Sequence, residues 1–355
     1  MKANTGASVV ADAARAGKEA AAQAKVGLDA IKLAFVYTGV QYDQKELLDA
    51  VASELPGVPL IGNSSFTGVI TPEGFITGAD GFVGVTALSG EDVTVGVAGA
   101  AKAGDARATG KQVALAALAA AGRPQSGRIE APDYFYMVAP PGEEEFYLKG
   151  IEEVIGRVPV FGGSAADNAI AGEWLLFTDQ LLTADGVAVA FFYTNSSFAN
   201  VFTGAYEESA NVGIITKVRD NRVLVEIDGV PALKKYAQWA GADPDDLFGG
   251  NLLVATITAP LGVKDRLGEL IAIRHPMNGN DDYSMNIGAN LAVNTAVIQM
   301  QGDVDTLIRS AGETVTALKV KAGGAPALLH LVHCGGRLAG IGDRVGELAD
   351  TIVAA

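Results

Sequence analysis

Hydrophobic positions along the chain fall into short β-prone runs and helix-spaced series in a regular order. Leu33-Ala-Phe-Val-Tyr37 is an apolar strand-like run, and a polar break follows from Thr38 to Asp43. Leu47, Leu48, Val51 and Leu55 then recur at helical spacing. Next comes Pro59-Leu-Ile-Gly-Asn-Ser-Ser65, and the same phrase returns 100 residues later as Pro159-Val-Phe-Gly-Gly-Ser-Ala165. The second copy has its own apolar run, Tyr134 to Val138, its own break, Ala139 to Glu145, and its own helical stretch, Phe146 to Ile155. Downstream, Gly81-Phe-Val-Gly-Val-Thr-Ala87 matches Gly186-Val-Ala-Val-Ala-Phe-Phe192, each a glycine turn feeding an apolar strand. A strand–helix–strand–hairpin unit therefore occurs twice.

A third copy starts near the end, with Leu328 to Val332 as strand, Cys334 to Gly342 as break and Asp343 to Val353 as helix. The stretch between is different. Val223 to Ile227 with Asp228-Gly229 reads as a strand and tight turn. Pro231 to Ala240 reads as a helix with proline in its first turn. Leu252 to Ile257 and Glu269 to Ile273 read as strands, and Met277 to Asp282 as a polar loop. The Ala-rich segment Ala7 to Leu28, broken by Asp12, Arg15, Lys18, Glu19 and Lys25, reads as an amphipathic helix and lacks a signal peptide's apolar core. The fold class is α/β (mixed α+β), with pseudo-repeated units around a mixed sheet core. The expected division is an N-terminal helix over 1–32, a duplicated domain over 33–215 and a second domain over 216–355.

Composition narrows the function. The 355 residues are 49% hydrophobic and carry 44 glycines, a profile of tight turns around a sizeable core. A formal net charge of −15 argues against a nucleic-acid partner. The single cysteine, Cys334, rules out a disulfide framework and points to a reducing, cytoplasmic compartment. No 18-residue apolar run calls for a membrane.

These features together resemble the FIST family. The strand, helix and P-L-I-G-N-S-S phrase are similar to a FIST N domain, and Pro159 to Asn168 to its second glycine-serine turn. From about Asn221 the chain resembles a FIST C domain, marked by Ile273-Arg-His-Pro276 and Cys334-Gly-Gly-Arg337. FIST C domains usually continue into a glycine- and aromatic-rich strand with a Gly-Glu pair, and the sequence to Ala355 does not hold one. The resemblance implies a sensor of a small ligand such as an amino acid. A partner histidine kinase, a cyclic-dinucleotide enzyme or another output protein would carry the signal. One branch of the family binds haem and senses nitric oxide.

Ligands of α/β sheets gather at strand carboxyl ends. There the glycine-serine turns offer backbone N–H groups and hydroxyls at Asn63, Ser64, Ser65, Gly163 and Ser164, a nest for a carboxylate or phosphate. Asp167 and Asn168 are placed for an amino group, and Arg274 and Arg337 for an anion, with Cys334 beside them. The other reading of these residues is local: glycines for turns, serines for buried backbone and Arg337 for an internal carboxylate or helix-end carbonyls. A haem iron needs an accessible neutral imidazole, for which His275 is the first candidate and His333 the second. His330 and His333 otherwise suit hydrogen-bonded core positions. No C-x-x-C-H motif attaches haem covalently, and no G-x-S-x-G elbow or H-E-x-x-H spacing supports a hydrolase or metalloenzyme. A binding module is expected, not an enzyme. The two glycine-serine turns are expected to lie together through an internal symmetry.

Overall fold

A computed structural model describes residues 1–264 and 271–355. They divide into two compact units, Met1–Asn200 with Ala317–Val332, and Val201–Thr316 with His333–Ala355.

The first unit runs β1 (Lys2–Ser8), α1 (Ala13–Ala24), β2 (Ile31–Thr38), α2 (Gln44–Glu54), β3 (Leu60–Ser64), the hairpin β4 (Val69–Thr71) and β5 (Gly74–Ile76), then β6 (Val83–Ser89). The series then repeats as β7 (Val93–Ala101), α3 (Ala106–Ala120), β8 (Tyr134–Ala139), α4 (Glu144–Ile155), β9 (Val160–Ser164), the hairpin β10 (Leu176–Thr178) and β11 (Leu181–Thr183), then β12 (Gly186–Thr194). The sheets have orders β1-β6-β2-β3-β10-β11 and β7-β12-β8-β9, so the first four strands of each correspond. The registers agree as well. Thr38 stands opposite Ser64 in the parallel β2–β3 pair, and Ala139 opposite Ser164 in β8–β9. The duplication thus begins earlier than the apolar pattern indicates. Residues 1–32 hold β1 as well as α1, and β1 pairs with β6 from Lys2–Ser89 to Ser8–Val83.

Capping and small residues set the helices. Asp12 and Asp43 accept from the N–H groups of Arg15 and Glu46, closing the N-termini of α1 and α2. A Cβ on Gly17 would lie 2.6 Å from the Leu47 carbonyl oxygen, and one on its counterpart Gly110 2.3 Å from that of Tyr147. Both helix pairs, α1 with α2 and α3 with α4, therefore pack backbone to backbone at a glycine. Each sheet has a core beneath its helices, built on Leu47, Val51 and Val85 in one and Val113, Ile151 and Phe191 in the other. A third core joins the two sheets, with Leu33, Phe35 and Ile61 meeting Tyr136, Val138 and Phe192. Strands buried on both faces read as continuous apolar runs, which is why β2, β8 and β12 stand out in the sequence.

The second unit holds β13 (Glu207–Arg219), β14 (Val223–Ile227), β15 (Val230–Pro231), α5 (Ala232–Ala240), α6 (Asn251–Thr256), β16 (Leu261–Lys264), β17 (Ile271–Arg274), β18 (Pro276–Gly279), β19 (Met285–Ile287), β20 (Ala296–Gln301), α7 (Val304–Ala322), α8 (Gly335–Ile341) and α9 (Val345–Ala354). The end of α7, from Ala317, belongs to the first unit. The sheet order is β17-β16-β20-β13-β14-β19-β18, with β15 on β14. Its core includes Ile215, Leu233, Tyr236, Leu252 and Leu261. The expected boundary at 215/216 falls inside β13.

Several local expectations change. Leu252 to Ile257 is helical: Leu252 and Thr256 are buried at i, i+4 while Val254 is 70% exposed, a one-sided pattern that no strand gives. Glu269 and Leu270 lie outside the described residues, and β17 starts at Ile271. Of the expected loop Met277 to Asp282, the part up to Gly279 pairs with β19 and only the residues after it form a turn. Leu328 to Val332 joins no ladder among the described residues, and the expected break after it is α8. The third copy therefore lacks its strand.

Candidate functional site

The two glycine-serine turns meet. The Ala166 N–H donates to the Ser64 carbonyl at 2.9 Å, and the Thr67 N–H to Asn168 Oδ1 at 3.2 Å. Their polar groups are largely spent on one another and on the fold. Asn63 accepts from the Tyr136 hydroxyl at 3.1 Å and donates to the Ser64 carbonyl at 2.7 Å. Ser64, fully buried, accepts the Leu175 N–H at 2.8 Å. Ser65 donates to the Gly68 carbonyl, and Ser164 to Glu144 at 2.6 Å. A Cβ on Gly163 would lie 3.0 Å from the Val332 side chain. The Asp167 carboxylate is buried and accepts four backbone N–H groups: Ala169 and Ala171 on Oδ1, Gly172 and Glu173 on Oδ2. Burial raises its pKa, but the four N–H bonds outweigh that and hold it below the ordinary aspartate value. Asp167 is thus the organiser of the 167–173 loop.

Beside the turns lies a buried relay that motif reading did not single out. His330 Nε2 is 2.8 Å from the Tyr37 hydroxyl, which is 3.2 Å from that of Tyr136. Phe35 and Phe161 pack on the imidazole with centroids 4.7 and 4.9 Å away. His330 keeps some accessible surface, yet the rings around it exclude water as a core does, and desolvation pushes its pKa down to about 4. His330 is a hydrogen-bonded, neutral core histidine.

The second unit gathers His275, His333, Cys334 and Arg337. His275, expected to be accessible, is half-buried, and its Nε2 is buried with no hydrogen-bond partner among the described residues. Burial lowers its pKa, partly offset by a hydrogen bond to the Leu253 backbone. With Nε2 unpartnered, a ring proton held on Nδ1 would leave the Nε2 lone pair open to a donor. His333 Nε2 is likewise buried and unpartnered, with its pKa pushed down to about 4, first by burial and then by the Arg337 charge. Arg337 donates to the Leu307 carbonyl at 2.6 Å and to Ser310 Oγ at 2.8 Å, while its buried Nε has no partner. A Cβ on Gly336 would lie 3.6 Å from Cys334 Sγ and 3.7 Å from His275 Cε1, so this glycine leaves the thiol and imidazole close together. Tyr206, which carried no sequence signal, completes the group. Its hydroxyl, pushed up to about 12 by burial and so neutral, donates to the Ile257 carbonyl. Arg274 is engaged elsewhere, with the Asn290 and Ile273 carbonyls at 3.0 and 3.1 Å.

The FIST N domain family matches residues 32–230 and the FIST C domain family residues 232–355. The chain belongs to the FIST family. FIST domains are small-ligand-binding sensory domains of signal transduction. The glycine-serine turns thus lie in the FIST N match and His275, His333, Cys334 and Arg337 in the FIST C match, while the relay joins Tyr37 and Tyr136 of the first to His330 of the second. No curated protein matches the chain. Solved structures give distant likenesses. One is a cyanuric acid hydrolase, at 10% identity over 55% of this chain and 68% of that one, TM-score 0.29. Another is the cyanuric acid hydrolase of A. caulinodans, at 12% over 68% and 77%, TM-score 0.30. A third is a thiamine monophosphate kinase from Aquifex aeolicus, at 9% over 74% and 90%, TM-score 0.20. Among the described residues no helix is long and apolar enough to cross a membrane, and no three His, Cys, Asp or Glu side chains group as metal ligands.

Proposed function

We propose that this FIST protein senses a small carboxylate-bearing molecule, such as an amino acid, through its FIST C half at His275, His333, Cys334 and Arg337. One observation carries the reading: three buried side-chain nitrogens in this cluster have no hydrogen-bond partner among the described residues. An unsatisfied buried polar group costs about 1–3 kcal/mol, so a ligand that satisfies all three has a ready source of affinity. The Arg337 Nε–H calls for an anionic acceptor, and the His275 Nε2 lone pair for a donor such as an ammonium group. A zwitterion meets both needs. The glycine-serine turns take a supporting role, since their side chains already serve the fold. The signal passes to a partner, such as a histidine kinase or another output protein. We read the chain as a binding module and not an enzyme; the Ser64 hydroxyl, the most enclosed serine of the turns, is committed to the Leu175 backbone.

A thermal-shift screen of amino acids, followed by calorimetry of any hit, tests this reading. A ligand that raises Tm in the wild type but not in His275→Ala and Arg337→Lys supports it. A hit whose binding ignores both changes removes it.

A second reading, a haem-binding sensor of nitric oxide, has its own support in His275. A neutral imidazole whose Nε2 is unpartnered and sheltered from water would suit a haem iron, with His333 as the alternative, and Arg337 would suit a propionate. Bound haem would supply the iron that takes nitric oxide. His275 would hold the group through Nε2. A Soret band after haem titration, lost in His275→Ala, favours this reading; no band in the wild type excludes it.

A further inference from the structure

We infer that the chain self-associates head to tail, the β4–β5 hairpin of one copy adding to the outer edge of β9 in another, an edge with which no described strand pairs. The internal duplication leads to this. In the first repeat the outer edge of β3 is covered by β10 from the second repeat, with Leu176, Phe177 and Thr178 opposite Asn63, Gly62 and Ile61. The contact is anchored where the Ser64 N–H donates to the Leu175 carbonyl at 2.8 Å. The hairpin of each repeat thus serves the β3-type edge of the repeat before it. Applied to two repeats, that rule leaves one hairpin and one edge unused.

Both remain on the molecule. The counterpart of β3 is β9, and among the described residues no strand pairs with its outer edge. On its inner side the Ala165 N–H donates to the Ala139 carbonyl, and the Pro159 carbonyl accepts from Phe135 N–H. Residues alternate direction along a strand, so Val160, Gly162 and Ser164 turn their N–H and C=O groups outward. The Asn200 side chain bonds the Val160 carbonyl at 2.8 Å, and Ser164 is exposed. Gly162 and Gly163 bring no side chain to this edge, as suits close approach by another backbone. The counterpart of β10–β11 is β4–β5, which forms a two-stranded sheet of its own. It packs on β6, with Val69 against Gly84, but its strands pair with no other described strand. Its first strand, Val69-Ile70-Thr71, matches Leu176-Phe177-Thr178 in character and in position. Donor and acceptor are different surfaces of one chain, so the contact is heterologous. Its register follows from the internal example: Val69, Ile70 and Thr71 opposite Gly163, Gly162 and Phe161.

Sedimentation velocity of the full chain tests this, with Ser164→Pro to remove an outward N–H and Ile70→Pro to break the hairpin, each checked for folding by circular dichroism. The wild type should shift with rising concentration from the 36.4 kDa monomer to larger species. Each variant alone should stay monomeric. Mixed in equal amounts they should form a 1:1 pair and nothing larger, because one keeps the edge and the other the hairpin. A wild type that stays monomeric, or a mixture with no pair, overturns the inference. Hydrogen exchange reads the same contact without substitution: raising the concentration should protect residues 160–164 and 69–76 together. Protection that does not change there would equally refute it. None of these readouts depends on the ligand.

Discussion

Replacing Asp167 by Asn separates a carboxylate that builds a loop from one that holds a ligand. The native group accepts four backbone N–H bonds, two on each oxygen, at 2.8 to 3.0 Å. An amide keeps one oxygen and turns two N–H donors toward the remaining backbone donors. Two charge-assisted bonds are lost and two buried N–H groups are orphaned. Hydrogen bonds to charged groups are worth about 1.5–3 kcal/mol each, so the change should cost roughly 3–6 kcal/mol. At about 2–4 °C per kcal/mol for a unit of this size, Tm should fall by roughly 6–24 °C. The pH dependence follows from linkage. The folded pKa lies below the ordinary value of about 3.9, so the stabilisation is complete above that pH and is lost as pH falls through the folded pKa. Asp167→Asn should flatten that acid limb of a denaturation series. A variant melting within about 2 °C of the wild type would show that the N–H cluster does not depend on the carboxylate, which would then be available to a ligand.

Two further outcomes follow from packing and titration. Gly62→Ala places a Cβ 1.7 Å from the Val36 carbonyl oxygen and should cost more than about 4 kcal/mol by urea denaturation, whereas Gly57→Ala, with open space and φ of 75°, should cost only roughly 1 kcal/mol. Burial holds His330 neutral with a pKa of about 4, against about 6.5 unfolded, so the unfolded chain binds an extra proton between these values and stability falls as pH drops through that window. From pH 7 to about 5 the loss should be about 2 kcal/mol for this residue, and His330→Phe should remove that share of the pH dependence; an unchanged slope would show that the ring titrates normally.

Much of the first unit was legible because its cues are forced by sterics and burial. The Pro-x-x-Gly phrase recurs because Gly62 and Gly162 both press on a neighbouring strand's carbonyl oxygen, of Val36 and of Met137. The doubly buried strands β2, β8 and β12 show as apolar runs for a related reason. β1 escaped notice because its sequence, Lys-Ala-Asn-Thr-Gly-Ala-Ser, is mostly polar and its place is fixed by pairing with β6. Leu252 to Ile257 misled because a six-residue apolar run carries no decisive period. Leu328 to Val332 has a strand's composition, but His330 makes it a plug among the rings of Phe35 and Phe161. In the site, the serines looked available because sequence does not show that Leu175 and Glu144 come back to meet them. His275 looked accessible because the residues after it are polar, yet they pair as β18. Arg337 stands out in the sequence for the glycines before it, and its structural role is plain in the bonds to Leu307 and Ser310, while its Nε meets no partner among the described residues.

The central claim is that the buried nitrogens around Arg337 take a small ligand, and calorimetry of Arg337→Lys against the amino acid found by screening tests it most directly. Lysine keeps the positive charge and can still donate to the Leu307 carbonyl, but it has no Nε–H. With the fold intact by circular dichroism, affinity should fall at least about tenfold, the loss of one charge-assisted bond. Affinity equal to that of the wild type would contradict the assignment and show that Arg337 serves only to hold α7.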